Sequence, residues 1–317
     1  MPIALSRFLL GRPMRLALAS MAFGALLLAS WRCRAPISDI LANANLLLLG
    51  LSTLLALLAN YLTGLPFNDF LKQYGMDVPV WKTCYLQLVV QVTKYIPGNI
   101  WGAILQAQLM GSPRIGVVFL AGINIIAFFM STVSTSGLAL LVYDRHPFVA
   151  ILVAIAGWVL ASRVATSTWL PRFVSLAARF LGKSLTINVA PSPTHQIVRF
   201  FTWASLHATV QVASVITLLM ATTHFDLDNI LIGSASILLA WVIGTAAIVV
   251  PSGLGVREVA FVSFAAALGT SANAQSLAAI AIVARVVQTL PDILALVVVA
   301  TVESTRSIRN RPRPPVH

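Results

Sequence analysis

Long apolar runs, interrupted by charges, Pro and Gly, divide the chain into segments near 16–31, 44–63, 115–142, 147–162, 196–221, 229–250 and 275–303. Several are long enough to cross a hydrocarbon core of roughly 30 Å, which takes about 20 helical residues. Two shorter pairs lie between them. Residues 80–96 and 99–110 flank the break "YIPGN", and the run ending at Val250 and residues 256–268 flank the break "PSGLG". Lipid offers no partners for open strand edges, so the spanning backbone has to be helical. The pattern predicts an all-α, polytopic helical membrane protein with two Pro/Gly-broken helical hairpins.

Composition agrees. Of 317 residues 58% are hydrophobic and only 9% charged, against about 25% charged in soluble domains; mean hydropathy is +0.89. Lys and Arg outnumber Asp and Glu by 21 to 9, for a net charge of +12. In a soluble chain that balance would point to nucleic acid. Here the basic residues cluster at Arg7, Arg12 and Arg15, between Arg163 and Lys183, and between Arg306 and Arg313, as cytoplasmic loops of membrane proteins do. No nucleic-acid partner is expected. With the N-terminus inside, the linker at 163–195 and the tail at 304–317 also fall inside, while "HFDLD" at 224–228 falls outside. The apolar start reads as an uncleaved first helix, in a cytoplasmic (inner) membrane with both termini cytoplasmic.

The linker, with Trp169, Phe173, Phe180 and the Pro-rich "APSPT", separates a first half at 41–162 from a second at 196–303. Each half has a full span, a helix ending at a Pro/Gly break, a short helix and a long one. Matching segments run in opposite directions, the form of an inverted-topology repeat, whose interrupted helices mark the substrate site. The bland alternative is the loose self-similarity of any polytopic chain.

Polar residues stand out against this background. Gln87, Gln91 and Lys94 recur at i, i+4 and i+7, one stripe on an apolar helix. A Lys at the centre of a bilayer costs about 2.5–3.5 kcal/mol, and far less if it snorkels to an interface. Beyond it Pro97 removes a donor and Gly98 permits a turn, so a new helix starts near Asn99 with unpaired N–H groups beside the ammonium. That combination is an anion seat; a plain packing kink is the alternative. The second break repeats the device: Pro251, Ser252, Gly253 and Gly255 precede Arg257 and Glu258. Arg285, Gln288 and Asp292 then share one face of the last helix, beside Pro291. They read either as a structural network neutralising Glu258 and Arg257, since buried charges need partners, or as a ligand site. His207 and Gln211, one turn apart, read as a helix-contact hydrogen bond, and Cys33 and Cys84 as packing residues. No Walker loop, dinucleotide turn, HExxH or nucleophile elbow is present, so no cofactor, metal or enzymatic activity is expected.

Taken together, "KYIPGNIWG" and "PSGLGVREVA" resemble the hallmark segments of the lysylphosphatidylglycerol synthase transmembrane-domain family, which includes the flippase half of multiple peptide resistance factor proteins. The resemblance spans about residues 40–303, the two motifs being its specific part. It implies a bacterial inner-membrane protein that moves a lipid between leaflets, and points by position to Lys94, Pro97, Gly98, Pro251, Gly253, Gly255, Arg257 and Glu258. Ser252 stands where the family has Gly. No counterpart of the family's soluble aminoacyl-transferase domain follows the last span, so synthesis of lysyl-phosphatidylglycerol is not expected of this polypeptide.

The leading expectation is a flippase-like transporter for an anionic lipid headgroup or lipid-linked intermediate. Lys94, Arg257 and Arg285 would hold the phosphate, and Glu258 and Asp292 would orient the cations or take protons. The rivals are a membrane transferase acting on a lipid-linked sugar or polyprenyl phosphate, and a non-catalytic partner of an envelope-biosynthesis enzyme; a homodimer is a further expected partner.

Overall fold

The computed structural model describes residues 24, 27–28, 30–73, 76–93, 106, 194–223, 225–246, 253–270 and 272–309. Its regular elements are helices: α1 (Arg34–Ala42), α2 (Leu46–Leu62), α3 (Gly64–Gln73), α4 (Val80–Thr93), α5 (Thr194–Thr222), α6 (Leu227–Ala246), α7 (Val256–Ala267) and α8 (Ala274–Arg309). Among the described residues four segments are long and apolar enough to span a membrane: Leu46–Asp69, Thr202–Thr222, Leu227–Gly244 and Ala274–Ala295. Lys94, Pro97, Gly98, Asn99, Pro251 and Ser252 lie outside the described residues, as do the expected spans at 115–142 and 147–162.

α2 packs antiparallel against α5. Asn45 caps α2 through its side chain, which accepts from the N–H groups of Leu47 and Leu48, and its own N–H donates to Ala221 O at 2.9 Å. Further along, Ser52 Oγ donates to Ser214 O and Ser214 Oγ to Ser52 O, both at 2.8 Å. Further still, His207 Nδ1 lies 2.9 Å from Ala59 O, the helix-contact bond expected of that residue. Small side chains at Ala56, Ala59, Ala204 and Ala208, all buried, let the backbones approach, as small residues do between membrane helices. At the far end Arg199 donates from Nε to Asp69 Oδ2 at 2.8 Å and from Nη2 to the other carboxylate oxygen.

α4 and α6 enter from opposite ends of this seam. α4 begins beside α3, where Asn68 Nδ2 donates to Val78 O at 2.7 Å, near the Asp69/Arg199 end. α6 begins four residues after α5 stops, near the Asn45/Ala221 end, and α7 returns along it. Thr270 Oγ1 meets Asn229 Oδ1 at 3.1 Å beside the start of α6, while Gly253 packs on Gly244 near its finish. A core of side chains from α5, α6, α7 and α8, including Leu218, Leu238, Phe261 and Val283, holds the second half together. α1 packs on the first part of α8 through Cys33, Ala279 and Ile282.

α2 stops at Leu62, where the span near 44–63 is expected to end, and α3 follows directly. Gly64 serves packing: a Cβ there would meet Cys84 N at 2.6 Å and Cys84 Sγ at 2.7 Å. Residues 34–42, between two expected spans, form α1, which covers apolar surface on α8. The last helix runs on to Arg309 instead of ending near 303, and passes through Pro291 without stopping. Proline removes one backbone donor, and a long helix with neighbours on several sides tolerates that loss.

Cysteines introduced by Ser52→Cys and Ser214→Cys, in a chain whose Cys33 and Cys84 are changed to Ala, are expected to form a disulfide on mild oxidation, because the two hydroxyls stand 3.4 Å apart. The check is a mobility shift between reduced and oxidised protein; failure to cross-link would show that this register is wrong.

Candidate functional site

The site is built where α7 turns back on α6. Gly253 and Gly255 adopt φ of +63° and +79°, the left-handed region in which any other residue is strained. Gly253 lies so close to α6 that a Cβ would meet the carbonyl carbon of Gly244 at 2.8 Å and its Cα at 2.9 Å. Gly244 is equally constrained from its other side, where a Cβ would meet Arg257 Nε at 2.7 Å and Cδ at 2.9 Å. The Arg257 side chain therefore lies flat across a bare stretch of α6 backbone. Glycines at the break and on the facing helix together decide where this arginine goes.

Arg257 and Glu258 fall in the first turn of α7, where a carboxylate is favoured by the unpaired N–H groups and the helix dipole. Glu258 Oε1 accepts a hydrogen bond from Arg285 Nη1 of α8 at 3.3 Å, with side-chain exposures of 15% and 12%. Its other oxygen, Oε2, is buried and has no hydrogen-bond partner among the described residues. One turn beyond Arg285, Gln288 Oε1 accepts from Trp241 Nε1 of α6 at 3.1 Å. Trp241, Arg257, Glu258, Phe261, Arg285 and Gln288 line a single cleft among α6, α7 and α8, with Ala240, Ala281 and Ala284 between them.

Depth gives this cleft its meaning. Arg285 lies inside the apolar Ala274–Ala295 segment, so at 1.5 Å per residue about 15 Å of apolar helix precedes it and a longer apolar stretch follows. A charge at that depth belongs to an interior path or a paired network rather than to lipid. Of the residues expected in the site, Arg257, Glu258, Arg285 and Gln288 come together, with Gly253 and Gly255 shaping the turn. Asp292 is buried at 3% exposure, two turns along α8 from Arg285 and outside the cleft lining. Gln87 is buried and Gln91 half-buried on α4, which packs against α8. Trp241 and Gly244 were not marked by the sequence reading. The one available signal was an indole N–H inside an apolar run, a donor that must find a partner when buried.

Apolar helices of spanning length around a cluster of charges at mid-depth make this a polytopic helical membrane protein. The family model described as the lysylphosphatidylglycerol synthase TM region matches residues 14–295, and the chain belongs to that family. It is thus a multi-pass membrane protein of lipid metabolism or transport. A search of curated proteins finds no match to the chain.

Arg285→Met is expected to lower stability by about 3 kcal/mol, the cost of leaving one member of a nearly buried pair alone, and adding Glu258→Gln to recover most of it; thermal unfolding in detergent reads both. Equal losses that simply add would mean that the pair does not interact. Gly244→Ala is expected to push the Arg257 stem aside and lower thermal stability in detergent, and to cost less in an Arg257→Ala background, where the stem it meets is gone; an equal cost in both backgrounds would show that the two do not touch.

Proposed function

We propose that the protein is a flippase-like transporter that moves an anionic phospholipid or lipid-linked intermediate between leaflets. The observation that carries this reading is the cleft itself: two guanidinium groups and one carboxylate, brought from the first turn of α7 and the interior of α8 to one cleft among apolar helices. A phosphate crossing hydrocarbon is opposed by desolvation, and cations fixed half-way offset that cost. Arg257 and Arg285 hold the phosphate, joined by Lys94 at the other break. Gln288 and Trp241 offer neutral hydrogen-bonding groups, and Glu258 keeps Arg285 in place when no lipid is bound.

The α2–α5 seam supports two inverted halves. Adding 162 to Ser52 gives Ser214, its partner in the reciprocal bonds. Adding 162 to Asn45 gives His207, and adding 162 to Ala59 gives Ala221. The contact of Asn45 with Ala221 O therefore maps onto the contact of His207 with Ala59 O. These relations are those of any antiparallel helix pair, which has a local two-fold axis, here between Ser52 and Ser214; the reading extends that axis to the two halves. Halves related in this way offer alternating access by rocking one against the other. In this reading the chain does transport rather than synthesis, in a bacterial inner membrane, with the basic linker and tail cytoplasmic.

In liposomes, fluorescent anionic lipids are expected to exchange between leaflets faster with the protein than without it, followed by dithionite quenching. Lys94→Ala and Arg257→Ala should each abolish the acceleration while leaving the elution profile of the purified protein unchanged. Rates equal to those of empty liposomes for every headgroup tested would overturn the proposal in favour of an enzymatic or scaffolding role.

A further inference from the structure

We infer that the start of α1 seats the headgroup of an anionic lipid, in the leaflet at the Asn45/Ala221 end of the α2–α5 seam. The seat is made by Trp31, Arg32 and Arg34, and it is separate from the cleft among α6, α7 and α8.

The first argument is depth. Cys33, Ile37 and Ile40 pack with Ala278, Ala279 and Ile282 of α8. Those contacts lie about 6–12 Å along α8 from Ala274, where its apolar segment starts. α2 opens its own apolar segment at Leu46, directly after α1 and its turn. α1 therefore lies along the boundary between headgroups and acyl chains, as amphipathic interfacial helices do. Leu41, exposed on its other side, offers the acyl chains an apolar surface.

The second argument is chemistry. Trp31 is 67% exposed, and the Arg34 guanidinium lies over its ring, 4.7 Å from the centroid, within the range of a cation–π contact. An indole settles at this boundary because its body is apolar and its N–H donates a hydrogen bond. Stacking occupies the face of the guanidinium and leaves the N–H groups at its edge, a fork that fits two phosphate oxygens. Arg32 and Arg34 are both exposed, and neither is in an ion pair among the described residues.

The third argument is charge bias. Basic residues concentrate on one side of a membrane protein, and α8 carries such a concentration at its other end, with Arg306 and Arg309. Two arginines at the Ala274 end run against that bias. Their place calls for a local partner, which an anionic headgroup supplies.

The experiment is a photo-cross-link. In a chain with Cys33→Ala and Cys84→Ala, Ser38→Cys on the exposed side of α1 carries a benzophenone label. The protein is irradiated in vesicles of equal parts phosphatidylcholine and phosphatidylglycerol, and mass spectrometry counts the adducts. Phosphatidylglycerol is expected to exceed phosphatidylcholine about tenfold, and Arg32→Gln with Arg34→Gln to return the ratio to that of the vesicle. The same label at Leu47→Cys, exposed on α2, should report the vesicle ratio throughout. Arg34→Lys, with the same charge and no planar fork, should lose most of the enrichment. Equal adducts with both arginines present would overturn the inference, as would enrichment that survives the double substitution. Full enrichment in Arg34→Lys would also overturn it, by showing a diffuse positive field in place of a seat. Millimolar inorganic phosphate should leave the ratio unchanged; a fall to the vesicle ratio would make this a site for a small soluble anion. Adducts form without exchange between leaflets, so the outcome is independent of the transport reading.

Discussion

A guanidinium half-way along an apolar helix is tolerated only with something to balance it, and much of the second half follows from that requirement at Arg285. Its carboxylate comes from Glu258, so α7 has to turn back along α6 and bring its first turn against α8. That return needs backbone in the left-handed region at Gly253 and Gly255, and it needs α6 to be bare at Gly244, so that both the turn and the Arg257 stem can lie against it. The ion pair, the break and the three glycines are one device, and loss of any part leaves a charge in hydrocarbon without its compensation.

Much of this is legible in the sequence because membranes are unforgiving. Charges in apolar runs have few acceptable positions, so the spacing of Arg285 and Gln288 and the placing of Arg257 and Glu258 at a helix start indicate a common interior site. Spacing is a poorer guide where the helix passes out of reach: Asp292 shares the face of Arg285, but two further turns of α8 carry it beyond the cleft lining. Trp241 and Gly244 are not legible because an aromatic and a glycine in an apolar run usually mean packing. α8 gives Trp241 its polar partner Gln288, and the returning α7 lays Arg257 against Gly244. The packing role of Gly64 is hidden for a related reason. Its missing side chain permits a close approach to Cys84, which only the fold brings near.

The seam between α2 and α5 makes like bonds from unlike residues. Ser52 and Ser214 match in type, but Asn45 and His207 do not, and one reaches its alanine carbonyl through backbone and the other through an imidazole. What the two positions share is the bond, not the residue. Hydrogen bonds between membrane helices are modest individually, so a donor can be replaced by another kind as long as the buried carbonyl keeps a partner.

α8 is the element that joins the interior to the exterior. Its 36 residues extend about 54 Å at 1.5 Å per residue, well beyond a hydrocarbon core of roughly 30 Å. The surplus lies at its basic end. Arg285 is anchored to α7 nearer the other end, and no helix break among the described residues separates it from Arg309. In an unbroken helix of this length, the geometry makes any tilt about the ion pair a larger displacement at the basic end than at the pair itself.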